Sequence, residues 1–159
     1  MTSTQADTVT PPGANHFPVH IPFLKWMGLQ YLAAEPGKSS ICLSMNREHT
    51  NSFSVAHGGV QMTMLDVAMA MAARTLFNDA DLARADQQYG MVTIEMKTTF
   101  MDAAIYTEDV PSDLFANGVC LKRTSQFAFC EAEIVDSSGK MLAKASGTFK
   151  AIKQRTIQR

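Results

Sequence analysis

Residues 51–74 read NSFSVAHGGVQMTMLDVAMAMAAR, a polar loop passing through His57-Gly58-Gly59 into an almost wholly apolar run interrupted by one acid, Asp66. From Val60 to Ala73 the only polar side chains are Gln61, Thr63 and Asp66. A helix so poor in polar surface has to be enclosed on most sides. The two glycines fall where that helix begins, so its first amides lack intrahelical acceptors and no Cβ shields them. With the positive end of the helix dipole added, the expected feature is a socket for a negative oxygen. Asp66 lies about 12 Å beyond Gly58 at roughly 1.5 Å per residue, so it cannot act on a group held by its own helix's first amide. Two such helices, antiparallel across a two-fold axis, would bring each Asp66 to the other chain's Gly58. The pattern predicts a homodimer with two shared active sites. The plainer alternative is an acid that caps another element or faces a wet groove. A buried carboxylate needs partners or a raised pKa, which favours the functional reading. His57 before two glycines, taken alone, reads more readily as a loop anchor than as a catalyst, and its spacing suggests no metal.

Around this run the chain alternates. Ser39 to Asn46 sets Ile41, Leu43 and Met45 against Ser40, Cys42 and Ser44, the period of a strand with one face in a core. Gly90 to Met101 sets Val92, Ile94 and Met96 against Thr93, Glu95 and Lys97; Leu114 to Lys122 and Gln126 to Val135 carry similar patterns. Asp136-Ser137-Ser138-Gly139 predicts a hairpin turn, and Met141 to Ile152 a returning strand. Before them, Pro22 opens a short helix followed by an extended piece and a turn at Glu35-Pro36-Gly37-Lys38; Phe23 and Trp26 cover the sheet or wall a pocket. The long helix should end near Phe77, where Leu76 to Tyr89 turns polar as a surface loop. Strands joined without helical crossovers demand a largely antiparallel sheet, and the apolar helix must be wrapped by it, an α+β architecture. The segment 102–113 is longer than a hairpin needs, and is either a pocket rim or an insertion.

A chain of 159 residues with 46% hydrophobic and 18% charged residues fits one domain with a sizeable core. Residues 1–15, rich in Thr, Ser, Ala and Pro, are expected to be disordered, leaving 16–159 as the domain. A net charge of −1 offers no basic field for nucleic acid. Neither a secretory leader nor a membrane span is read from the sequence, and Cys42, Cys120 and Cys130 lack zinc or disulfide spacing, so a cytoplasmic protein with reduced core thiols is expected. Lys122-Arg123-Thr124-Ser125 at a turn, with Lys150 and Lys153 near the last strand's end, reads as a solvated edge or as a polyphosphate handle. The methionines Met62, Met64, Met69 and Met71 on the helix read as core filler before a deformable pocket.

With Glu48-His49-Thr50-Asn51, His57-Gly58-Gly59-Val60, Leu65-Asp66 and Val92-Thr93-Ile94-Glu95-Met96 in place, the sequence resembles the hotdog-fold acyl-CoA thioesterases of the PaaI-like group over roughly residues 40–152. The hairpin at 136–140 and Gly147-Thr148-Phe149 are similar too. The resemblance implies a five- to six-stranded antiparallel sheet curled around the central helix. It implies dimers sharing a continuous sheet, often paired into tetramers, and no cofactor or metal. It assigns the Gly58 amide to the thioester oxygen, Asp66 of the facing subunit to general base or nucleophile, Asn51 to positioning and Thr93 to the water. His57 joins that catalytic set; Gly59, Lys122, Arg123, Ser125 and Lys150 are the residues expected to hold acyl-CoA. Ser54 departs from the pattern, standing where many relatives have Gly. Two other functions stay open at this point: a hotdog acyl-thioester hydratase or dehydratase, and a non-catalytic acyl-CoA-binding protein. The chemistry favours hydrolysis, since a helix-terminal amide stabilises the tetrahedral oxyanion by about 3–4 kcal/mol, and a carboxylate among Met62, Leu65 and Met69 gains basicity.

Overall fold

The computed structural model describes residues 17, 19–78 and 89–153. Helix α1 (Pro22–Trp26) begins at a proline, whose fixed φ and missing N–H suit a first helical turn. Strands β1 (Gln30–Glu35) and β2 (Lys38–Ser44) form a hairpin through Gly37, at φ 78°, and a short 3-10 turn (Arg47–His49) leads to α2 (Gly58–Phe77). Strands β3 (Tyr89–Phe100), β4 (Asp113–Arg123), β5 (Phe127–Asp136) and β6 (Met141–Lys153) follow. All pair antiparallel in one sheet of order β1-β2-β4-β5-β6-β3. The extended piece after α1 is thus a full edge strand, and the sheet has six. The expected N-terminal disorder over 1–15 and most of the surface loop 76–89 lie outside the described residues.

The sheet wraps α2. Met64, Leu65, Ala68, Met69 and Ala72 are fully buried on the helix, against Ala116, Ala128, Ala132, Ala143 and Ala145 of β4, β5 and β6. These small sheet side chains let the helix axis come close. At Gly118 the approach is closest, because a Cβ there would overlap the backbone of Ala68. Ser39 Oγ donates to the Ala68 carbonyl at 2.7 Å from the next strand, so one turn of the helix is fixed between two strands. This is the hotdog arrangement that the resemblance implies. The cysteines behave as core thiols, Cys42 and Cys130 buried and Cys120 half-buried.

In β3 the alternation shifts phase. Thr93 pairs with Phe149 and Glu95 with Thr148, which leaves Ile94 as the extra residue of a bulge. Met91 packs on the core before the bulge and Met96 after it. Val92 and Ile94, expected inside with Met96, are 42% and 53% exposed. The period-two reading misses this because one inserted residue reverses the faces of everything beyond it.

Candidate active site

The loop before α2 is held at both ends by its own polar groups. Asn51 Oδ1 accepts from the amides of Phe53 (2.9 Å) and Val55 (3.4 Å), and the Asn51 amide donates to the Val55 carbonyl. That fixes the carboxamide with its Nδ2 hydrogens directed away from the turn. Ser54, at the tip, has φ 57°, a left-handed conformation that glycine adopts without strain. The segment 102–113 proves to be a buttress: Ala56 donates to the Ala104 carbonyl, Tyr106 to the Ser54 carbonyl, and Val55 bridges Ile105.

His49 ties the same loop to α1. Its Nδ1 accepts from the Asn46 amide at 3.1 Å and its Nε2–H donates to the Met27 carbonyl at 3.0 Å. Burial holds its pKa below the ordinary histidine value, so the ring stays neutral and the pair of bonds persists. His57 caps α2, its Nδ1 accepting from the Gly59 amide at 3.0 Å. The loop-anchor reading of His57 therefore describes its contacts. Gly59's amide is committed to that cap and is not open to a ligand. The Gly58 amide has no protein acceptor among the described residues and lies at the helix's positive end. Phe100 of β3 sits beside it, its ring tip 3.3 Å from where a Gly58 Cβ would stand. Phe100 shares the phase of Met96 beyond the bulge, so the alternation of β3 does place it on the helix side, but only the fold brings it to Gly58.

Two turns further on, Asp66 Oδ1 accepts from Thr93 Oγ1 at 2.6 Å. The bulge at Ile94 follows directly and holds Thr93 on the helix side at the sheet edge. Burial pushes the Asp66 pKa up, and the Thr93 hydrogen bond opposes that rise. The carboxylate lies on the wall of a 410 Å³ apolar cavity between α2, α1 and β3. Because Gly58 and Asp66 share one straight helix, they stay about 12 Å apart at roughly 1.5 Å per residue. Asn51, His57 and Gly58 thus stand at one end of the helix, and Asp66 with Thr93 further along it.

The basic residues lie elsewhere. Lys122, Arg123 and Ser125 are exposed at the β4–β5 turn, and Lys150 pairs across the sheet with Phe127. Arg123 stacks its guanidinium over Phe77 at 4.6 Å. Phe149 is buried on the helix side, so Lys150 projects from the opposite face of the sheet, away from this chain's Asp66. A larger hollow of 580 Å³ on that outer face, walled by residues such as Lys38, Asn117, Glu131 and Lys144, contains none of the expected site residues. Among the described residues no group of three or more His, Cys, Asp or Glu could hold a metal ion, and no helix is long and apolar enough to cross a membrane.

The family model of the thioesterase superfamily matches residues 53–143, from the loop before α2 to the start of β6. The chain belongs to the thioesterase superfamily. Among the relatives of this thioesterase is a provisionally named esterase of Saccharolobus solfataricus, 29% identical over 125 residues, 79% of either chain. Human acyl-coenzyme A thioesterase 13 is 26% identical over 118 residues, 74% of this chain and 75% of that one. The solved PaaI protein of E. coli, from the phenylacetic acid degradation operon, has the same fold: TM-score 0.69 at 18% identity, covering 82% of this chain and 83% of that one. Thioester hydrolysis is the general activity this membership carries.

Proposed function

We propose that the protein hydrolyses acyl-CoA thioesters as a homodimer whose two sites each combine Asp66 of one chain with Gly58 of the other. The observation that carries this is a carboxylate of raised pKa at an apolar cavity, on the same helix as an unclaimed terminal amide that it cannot reach. Strand β3 supplies the means of pairing. It is 12 residues long, forms one edge of the sheet and, among the described residues, is bonded on one side only, to β6. An unpaired edge of that length invites a second strand, and two copies meeting antiparallel about a two-fold axis continue the sheet and bring the helices side by side.

In this site the Gly58 amide of one chain donates to the thioester oxygen. Asp66 of the other chain takes a proton from water, and the hydroxide attacks the carbonyl carbon. The tetrahedral oxyanion rests on the helix terminus and then collapses, breaking the C–S bond. The proton on Asp66 passes to the departing thiolate, giving free acid and CoA. The Thr93 hydroxyl donates to Asp66, so its oxygen lone pairs remain to receive a hydrogen of the water. Asn51 offers its Nδ2 hydrogens to the substrate, and His57 keeps the Gly59 amide occupied so that Gly58 alone faces outward. Direct attack by Asp66 is the other route, expelling the thiolate and forming a mixed anhydride. If water then adds to the aspartyl carbon, a single turnover in ¹⁸O-water leaves label in the Asp66 carboxylate, which the general-base route never does.

Lys122, Arg123, Ser125 and Lys150 are assigned to the CoA phosphates at the rim. Their removal should raise KM for acyl-CoA while leaving acyl-pantetheine hydrolysis unaffected. Thiol release from a panel of acyl-CoAs tests the whole reading. Asp66→Ala should lower kcat/KM by about 10²–10⁴, the range for a lost general base. Full activity in that variant would end the mechanism.

A further inference from the structure

The cavity behind Asp66 follows the stripe of α2 that the chain's own sheet leaves uncovered, with α1 over it and β3 beside it. Resting on the hydrolase reading above, we propose that it receives the acyl group as a medium-chain hydrocarbon tail of about six to eight carbons rather than a hydroxylated aromatic ring. Four methionines, Met62, Met71, Met91 and Met96, form its walls together with Phe23 and Ala70. Apart from Asp66 the lining has one polar side chain, Thr63, and its hydroxyl already donates to the Gly59 carbonyl at 2.9 Å. A phenolic hydroxyl would find only the Thr63 oxygen and Asp66 as acceptors, both at the helix wall, and against the methionines that make up the rest of the lining it would go unpartnered, which is penalised. A flexible alkyl tail loses nothing by this, and unbranched thioether side chains adjust to its shape. The methionines thus serve the pocket as well as the core, since Met64 and Met69 remain fully buried.

The length follows from the helix. From Asp66 to Met62 or Met71, the ends of the lining stripe, is about 6–8 Å at roughly 1.5 Å per residue. An extended single-bonded chain advances roughly 1.2 Å per bond, so about five to seven bonds fit beyond the carbonyl.

The test measures kcat/KM for butyryl-, hexanoyl-, octanoyl-, dodecanoyl- and 4-hydroxybenzoyl-CoA with the native protein, Ala70→Leu and Ala70→Trp. Ala70 is only partly buried, so both variants are expected to fold, which circular dichroism checks. Native activity should climb from butyryl to octanoyl by up to about fourfold per methylene and should exceed that on hydroxybenzoyl by about tenfold or more. The octanoyl-to-butyryl ratio should fall stepwise from Ala70 to Leu to Trp, by about tenfold at Trp. Turnover with hydroxybenzoyl preferred, or a ratio indifferent to folded Ala70→Trp, overturns the acyl assignment alone. No turnover of any ester overturns the hydrolase reading beneath it.

Discussion

His57 has φ −60° and ψ 138°, the extended backbone that a following proline requires. Gly58 is the first residue of α2, where proline is tolerated because its missing N–H had no helical acceptor. Gly58→Pro therefore removes the proposed oxyanion donor and little else; the Phe100 ring tip must yield slightly. We expect kcat to fall by about 10²–10³ with the melting temperature nearly kept. Asp66 makes the opposite kind of prediction. Its folded pKa lies above its unfolded one, so its charge costs stability that accrues as pH rises from the unfolded value through the folded one. Asp66→Asn should thus melt higher than the native protein by on the order of a few °C near neutral pH, with the gain vanishing towards pH 4 in thermal scans. Activity should fade as pH drops through the raised pKa, with its acid limb higher than an ordinary Asp would give. Ser54→Gly should stabilise by roughly 0.5–1 kcal/mol in denaturant titrations, since a non-glycine left-handed residue is strained. Asp66 and Gly58 stood out in the sequence because each is an anomaly of residue type, whereas Ser54 stood out only against the pattern of the family the sequence resembles. The division of labour between the two glycines was not legible there, since it depends on which way the His57 ring turns.

At the scale of elements, the sequence predicted the strands and the long helix from their hydrophobic periods, and their ends agree to within a few residues. Two features escaped it. The bulge at Ile94 reverses the faces of β3 midway, and no local pattern signals an inserted residue in a strand that is polar on one side and half-exposed on the other. Gly118 did carry a signal: an isolated glycine within an otherwise apolar strand marks a close backbone approach. Here the approach is to Ala68. Gly118→Val should push α2 off the sheet and destabilise by about 3 kcal/mol or more, readable as a lowered denaturant midpoint. Gly139, at φ 83° with open space around it, is a contrasting case where only backbone conformation is at stake. The extended piece that became β1 was ambiguous because its two ends differ in burial, half-buried at Gln30 and exposed at Glu35.

For the whole molecule, the two-chain site is a proposal that rests on three features of the single chain. The helix is continuous between Gly58 and Asp66, and among the described residues the terminal amide is unclaimed and β3 presents a long free edge. Residues brought together only by a second chain are beyond any reading of one chain's periodicity, which is why the place of Lys150 and Arg123 relative to Asp66 was the least legible part. The assembly can be interrogated with two inactive proteins, Asp66→Ala and Gly58→Pro, each purified and then mixed under conditions that exchange subunits. In a mixed dimer, Asp66 of the second faces Gly58 of the first, restoring one site of the two. With half of the dimers mixed, acyl-CoA hydrolysis should recover to about a quarter of the native rate. A mixture that exchanges fully, as shown by native mass spectrometry, yet stays as inactive as its parents would contradict a site shared between chains.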